Sequence, residues 1–164
     1  MAEGDRALGS LPEWALGALY AGPRAPRLEQ DLLEAERLAR AFRQAWEGKL
    51  AASSGAELAR AIVAYEQVQE ILGRAGSNAQ LLHSGNMSDP QVGRFYQSIS
   101  ERTTRISTDL IFFTLELNRL DDAVLEAKFK AGALEKWRPW LRDLRVWRPH
   151  QLSDEVERLL HEKY

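Results

Sequence analysis

Arg138, Arg142, Arg145 and Arg148 recur at steps of four, three and three, which lines four guanidinium groups along one face of a helix. A guanidinium fork holds a carboxylate through two parallel hydrogen bonds, so this face suits the C-terminal carboxylate of a short peptide. It equally suits a solvated surface paired with nearby acids such as Asp143, Asp154 or Glu155. Trp137, Trp140 and Trp147 interleave the arginines, and rings set between cations can stack the bases of single-stranded nucleic acid. The charge balance argues against that use. With 22 basic and 24 acidic residues the net charge is −2, which leaves no basic surplus to neutralise phosphates. Core and interface packing is the expected role of the tryptophans, and the seven residues together form the candidate contact surface for a peptide or a neighbouring domain.

The residues for metal or nucleophilic chemistry are few. There is no cysteine, which removes disulfides, thiolate metal sites and cysteine nucleophiles together. The three histidines, His83, His150 and His161, lie on separate segments with no pair four residues apart. A hydrolytic zinc site takes three protein ligands, commonly histidines or two histidines and a carboxylate, so no metal site and no catalytic residue are expected in this chain. His161 and Glu162 open like a zinc-binding helix, but the second histidine of that motif is missing. His161 then reads as a solvated residue at a polar helix end, and His150 as one that caps or packs at a break between helices. Glu13, Asp121 and Asp122 could be taken for acid–base carboxylates. The two aspartates are neighbours, though, and adjacent residues on a helix point apart, so a helix cap explains them better.

Composition places these residues in an ordinary soluble globular chain. At 164 residues, 45% apolar and 28% charged, it can bury a sizeable core. The opening MAEGDRALGS carries acids and glycine where a secretory signal would need a basic start and an apolar run. The most apolar stretch, LIFFTLEL at 110–117, is too short to cross a bilayer. The expectation is a cytoplasmic protein with no membrane partner.

The elements that position the arginines are helical throughout. Residues 1–25 are rich in Gly, Pro and Ala, and predict an extended leader pinned by Trp14, Leu16, Leu19 and Tyr20. From Pro26, residues Leu28, Leu32, Ala35, Ala39, Phe42 and Trp46 make one helical face that Gly48 closes. Ser54 with Glu57 forms a capping box for a second helix reaching about His83. Gly73 and Gly76 inside it each cost roughly 1 kcal/mol of helix propensity, which suggests a close crossing or a kink. After the SGNMSDP turn, Phe95, Ile99, Ile106, Leu110, Phe113, Leu117 and Leu120 predict one long central helix. A short helix runs from Asp121 or Asp122 to Phe129, with Gly132 ending it. Trp137, Leu141, Leu144 and Trp147 mark another, broken at 148–150, and Ser153 caps the last. No segment alternates with a period of two. The fold class is all-α, an antiparallel bundle of five or six helices over 26–164, behind the leader.

Four stretches resemble one family in order: LPEWALGALYAGP (11–23), ILGRAGSNAQLLHSGNMSDP (71–90), FFTLELNRLDD (112–122) and RPHQLSDEVERLL (148–160). The family is oligoendopeptidase F, a zinc metallopeptidase of the thimet-oligopeptidase-like group. Asn78 and Met87 depart from its pattern, which shows an aromatic and a threonine-like residue there. The resemblance implies a helical, non-catalytic N-terminal domain that helps wall a deep channel for short peptides. The zinc and its ligands would belong to a catalytic domain carrying His-Glu-x-x-His, a motif that does not occur in this sequence. The expected partners are that catalytic domain, short peptides and, for the isolated chain, a second copy. A different reading of the same amphipathic faces is a free-standing helical interaction module. An enzyme in its own right lacks any nucleophile–base constellation.

Overall fold

A computed structural model describes residues 15–130 and 132–163. Among them there are seven α-helices and no strand: α1 Pro26–Trp46, α2 Gly55–Gly85, α3 Pro90–Thr108, α4 Ile111–Arg119, α5 Asp122–Phe129, α6 Arg138–Arg145 and α7 Asp154–Lys163. The long elements α1, α2 and α3 all pack on one another, and the short links between them make consecutive helices antiparallel. The shorter helices gather at one end, where α5 meets α2, α6 meets α4, and α7 rests on α3 and α4.

The first helix follows its sequence pattern closely. Leu28, Leu32, Ala35, Ala39 and Phe42 are buried, Pro26 stands in the first turn, and Gly48 turns the chain with φ 76°, a conformation that costs a glycine little. At the start of α2 the capping box is complete. The Ser54 hydroxyl accepts from the Glu57 backbone N–H, and the Glu57 carboxylate accepts from the Ser54 N–H at 2.8 Å. Those hydrogen bonds from Ser54 hold the Glu57 carboxyl below its usual range. Asp89 and Asp121 cap α3 and α5 more simply, their carboxylates accepting from the Gln91 and Ala123 backbone N–H groups.

Three local expectations differ from the structure. The predicted central helix is split at Asp109 and Leu110 into α3 and α4, which raises the count to seven. Four hydroxyls lie just ahead of that break: Thr103, Thr104, Ser107 and Thr108. Those of Thr103, Ser107 and Thr108 bond back to carbonyls three or four residues earlier. Such back-bonding competes with the helix ladder and bends it, and the backbone tightens into three-residue turns at 106–113. Gly73 and Gly76 mark no close crossing: an added Cβ would meet nothing within 4 Å at either, and α2 runs on through both. In the leader, Leu16–Ala18 coil into a 3-10 turn, so the described part folds back instead of running straight. Tyr20 is buried there, and its hydroxyl donates to Asp31 at 2.8 Å. Trp14, the first of the proposed pins, lies outside the described residues.

The core forms around Phe113. Its ring meets Phe42 from α1 edge-on at 5.1 Å and Tyr65 from α2 at 5.0 Å, so α4 is locked to both long helices by aromatic packing. The buried Lys128 ammonium donates to the carbonyls of Ala51 and Ser53, which ties α5 to the turn between α1 and α2. Burial pushes its pKa down.

Candidate functional site

Of the four arginines, Arg145 is built most deeply into the fold. Its side chain is 10% exposed. It donates to the carbonyls of Leu117 and Leu120 and to the Asp122 carboxylate at 2.5 Å. It therefore closes the C-terminus of α4, whose last carbonyls have no partner within the helix, and joins it to the N-terminus of α5. Arg148 reaches the same Asp122 at 3.1 Å, and the Arg145 bond holds the Asp122 carboxyl below its usual range. Arg138 lies over the Phe129 ring at 3.8 Å and forks onto Glu135, with Glu126 beside it. Among the described residues Arg142 pairs with its neighbour Asp143, and 72% of its side chain is exposed. Three guanidiniums thus tie elements together, and Arg142 is the one turned outward.

The tryptophans divide in the same way. Trp137 is buried, and its indole N–H donates to Glu66 of α2 at 2.6 Å. Trp140 packs on the core beside Tyr65, with ring centroids 6.2 Å apart. Trp147 is 67% exposed, next to His150. The sequence groups seven residues by spacing, and the fold separates them into five that hold the molecule together and two, Arg142 and Trp147, that face solvent.

Trp147 also edges a cleft of about 760 Å³ between α4, the turn after α6, and α7. Leu115, Leu144 and Leu160 supply apolar walls, and Asn118, Gln151 and Glu157 supply polar ones. Asn118 is 6% exposed, yet its side-chain oxygen has no hydrogen-bond partner among the described residues. Gln151 donates its amide to the Leu115 carbonyl at 3.3 Å, which fixes the orientation of the group and leaves its buried oxygen unpaired. Glu157 accepts the Leu152 N–H on one oxygen at 2.8 Å. Asn118 directly follows the apolar stretch at 110–117, which is the one place in the sequence that could have drawn attention to its amide. Nothing in the spacing pointed to Gln151 or Glu157.

His150 and His161 line the same cleft. His161 is not solvated as its place at a polar helix end suggested: its Nε2 lies 2.7 Å from the Ser107 hydroxyl, because α7 folds back onto α3. His83 is elsewhere, stacked on Tyr96 at 4.9 Å. No group of three or more His, Cys, Asp or Glu able to hold a metal ion occurs among the described residues, so these residues do not fit a zinc site. No helix there is long and apolar enough to cross a membrane.

The helices α5, α6 and α7, with the end of α4 and part of the cleft they border, fall in a stretch that matches a known family. Residues 116–164 match the family model described as oligopeptidase F, in its N-terminal region. This segment is similar to the oligopeptidase F N-terminal region. It makes up just under a third of the chain and contains all seven arginine and tryptophan positions. The resembling stretches at 11–23 and 71–90 lie outside the oligopeptidase F match. No curated protein matches the chain, and no solved structure does.

Proposed function

We propose that the chain serves as the helical, non-catalytic N-terminal part of an oligopeptidase F-like zinc metallopeptidase, forming one wall of a chamber for short peptides. The observation that carries this reading is the place of the uncovered apolar surface. Of ten exposed large apolar side chains among the described residues, seven fall within the matched segment, and six of those are Val146, Trp147, Leu152, Val156, Leu159 and Leu160. Exposed apolar side chains gathered in one segment point to an interaction site. In this reading the strip packs on the catalytic part, and Arg142 is the member of the basic face open to a peptide carboxylate.

The experiment compares the 164-residue chain alone with a polypeptide in which an oligopeptidase F catalytic region follows it. The chain alone is expected to hold no stoichiometric zinc after dialysis and to leave short fluorogenic peptides uncut. The joined polypeptide is expected to bind zinc and cleave them, with a metal-activated water as nucleophile. Chelator-sensitive cleavage by the chain alone would overturn the proposal.

A further inference from the structure

We infer that the cleft between α4, α6 and α7 binds a primary ammonium group carried beside an apolar side chain, as at the amino end of a short peptide that begins with leucine. The argument starts from unmet acceptors. The buried oxygens of Asn118 and Gln151 have no donor among the described residues, and a buried acceptor left without one costs about 1–3 kcal/mol. Both belong to residues lining this one cleft, on two different elements. Glu157, on a third, accepts one backbone N–H and brings the negative charge.

An ammonium group has three donors and no acceptor, which matches three acceptors of which one, Glu157, is a carboxylate. A carboxylate or phosphate ligand would find no lysine or arginine among the lining residues. Leu115, Leu144 and Leu160, with the Trp147 ring at the rim, give the attached side chain an apolar wall. The inference rests on the cleft alone and does not depend on the peptidase reading.

The test is a nuclear magnetic resonance titration of the full chain, following the side-chain amide signals of Asn118 and Gln151. Leucinamide is the probe, and N-acetyl-leucinamide, which has no ammonium, is the control. For so small a ligand the Kd falls in the millimolar range, roughly. Leucinamide is expected to shift both amides saturably, and the acetylated control to bind roughly tenfold or more weakly. Glu157→Gln keeps the acceptor for Leu152 and removes the charge, so it should weaken leucinamide by about the same factor. Glu162→Gln, outside the cleft, should change nothing. Isopentylamine and the tripeptide Leu-Gly-Gly separate the sources: tighter binding of the tripeptide identifies a peptide end, and equal binding identifies simple amines. Absence of a saturable shift, or equal binding of the acetylated control, overturns the inference. So does the same pair of amide shifts on concentrating the protein without ligand, which would mean that a second copy fills the cleft.

Discussion

Two buried polar side chains on α2 and in the leader make opposite contributions. Tyr20 is satisfied by Asp31, and burial together with that hydrogen bond pushes its pKa from 10.0 up to about 12. The folded state favours the neutral phenol, so this contribution is intact below pH 10 and is lost as pH rises from there towards 12. Denaturation at a series of alkaline pH values should show a steeper loss for the native protein than for Tyr20→Phe. At neutral pH the variant should already be weaker by about 1 kcal/mol, the usual net worth of a hydrogen bond. Asn78 is the contrary case. It is fully buried, and neither its amide nitrogen nor its oxygen has a partner among the described residues. Asn78→Ala is therefore expected to leave stability level or raise it by up to about 1 kcal/mol, whereas Leu72→Ala on the same helix should cost about 2–5 kcal/mol. Urea midpoints of the two variants decide it. A loss at Asn78 as large as that at Leu72 would mean the amide is well satisfied.

At the level of elements, the joint between α4 and α5 depends on one side chain. Arg145 closes three orphan carbonyls and an aspartate from a position nearly out of solvent. Arg145→Met is expected to cost about 3 kcal/mol, because it leaves buried acceptors bare. Arg145→Lys should recover only part, since a point charge cannot span the same fork. Chemical denaturation of both variants tests the order. This role was hidden in the sequence, where Arg145 was one of four equivalent positions on a face. Helical spacing reports which side a residue occupies, but not which neighbour comes to meet it. The same limit explains the split central helix. The apolar repeat from Phe95 to Leu120 continues through the break, because α3 and α4 both bury their stripe. The cause lay in hydroxyls on the other positions. By contrast, the capping box at Ser54 and the buried face of α1 were plain in the sequence, since each depends only on residues within one or two turns, and the cap of α5 was narrowed to Asp121 or Asp122. The cleft was illegible for the opposite reason, its acceptors being gathered from three elements far apart in sequence.

Over the whole molecule, burial is uneven. Most of the core lies in α1 to α5, while the strip from Val146 to Leu160 is open. Its members outside the cleft, Val146, Leu152, Val156 and Leu159, are left uncovered, and a protein with that surface open is expected to associate as concentration rises. Sedimentation should show a monomer–dimer equilibrium, and Val156→Ser with Leu159→Lys should shift it to monomer with the helical circular dichroism unchanged. A monomer at high concentration in the unaltered chain would count against the strip as an interface.

The helix that carries half of this strip, α7, has no buried residue at all. What holds α7 down is its packing on α3 and α4, with polar links from Asp154 to Arg119 and from His161 to Ser107. In the native ensemble its detachment should therefore require far less free energy than global unfolding, and its amides should exchange with deuterium long before those of α2. Glu157 and one wall of the cleft leave with it. Each moment that α7 spends detached lowers the apparent affinity of the cleft in proportion, and any molecule held there slows the exchange of α7 by the same linkage. Occupancy of the cleft would thus be written in the protection of a helix that the core itself hardly holds.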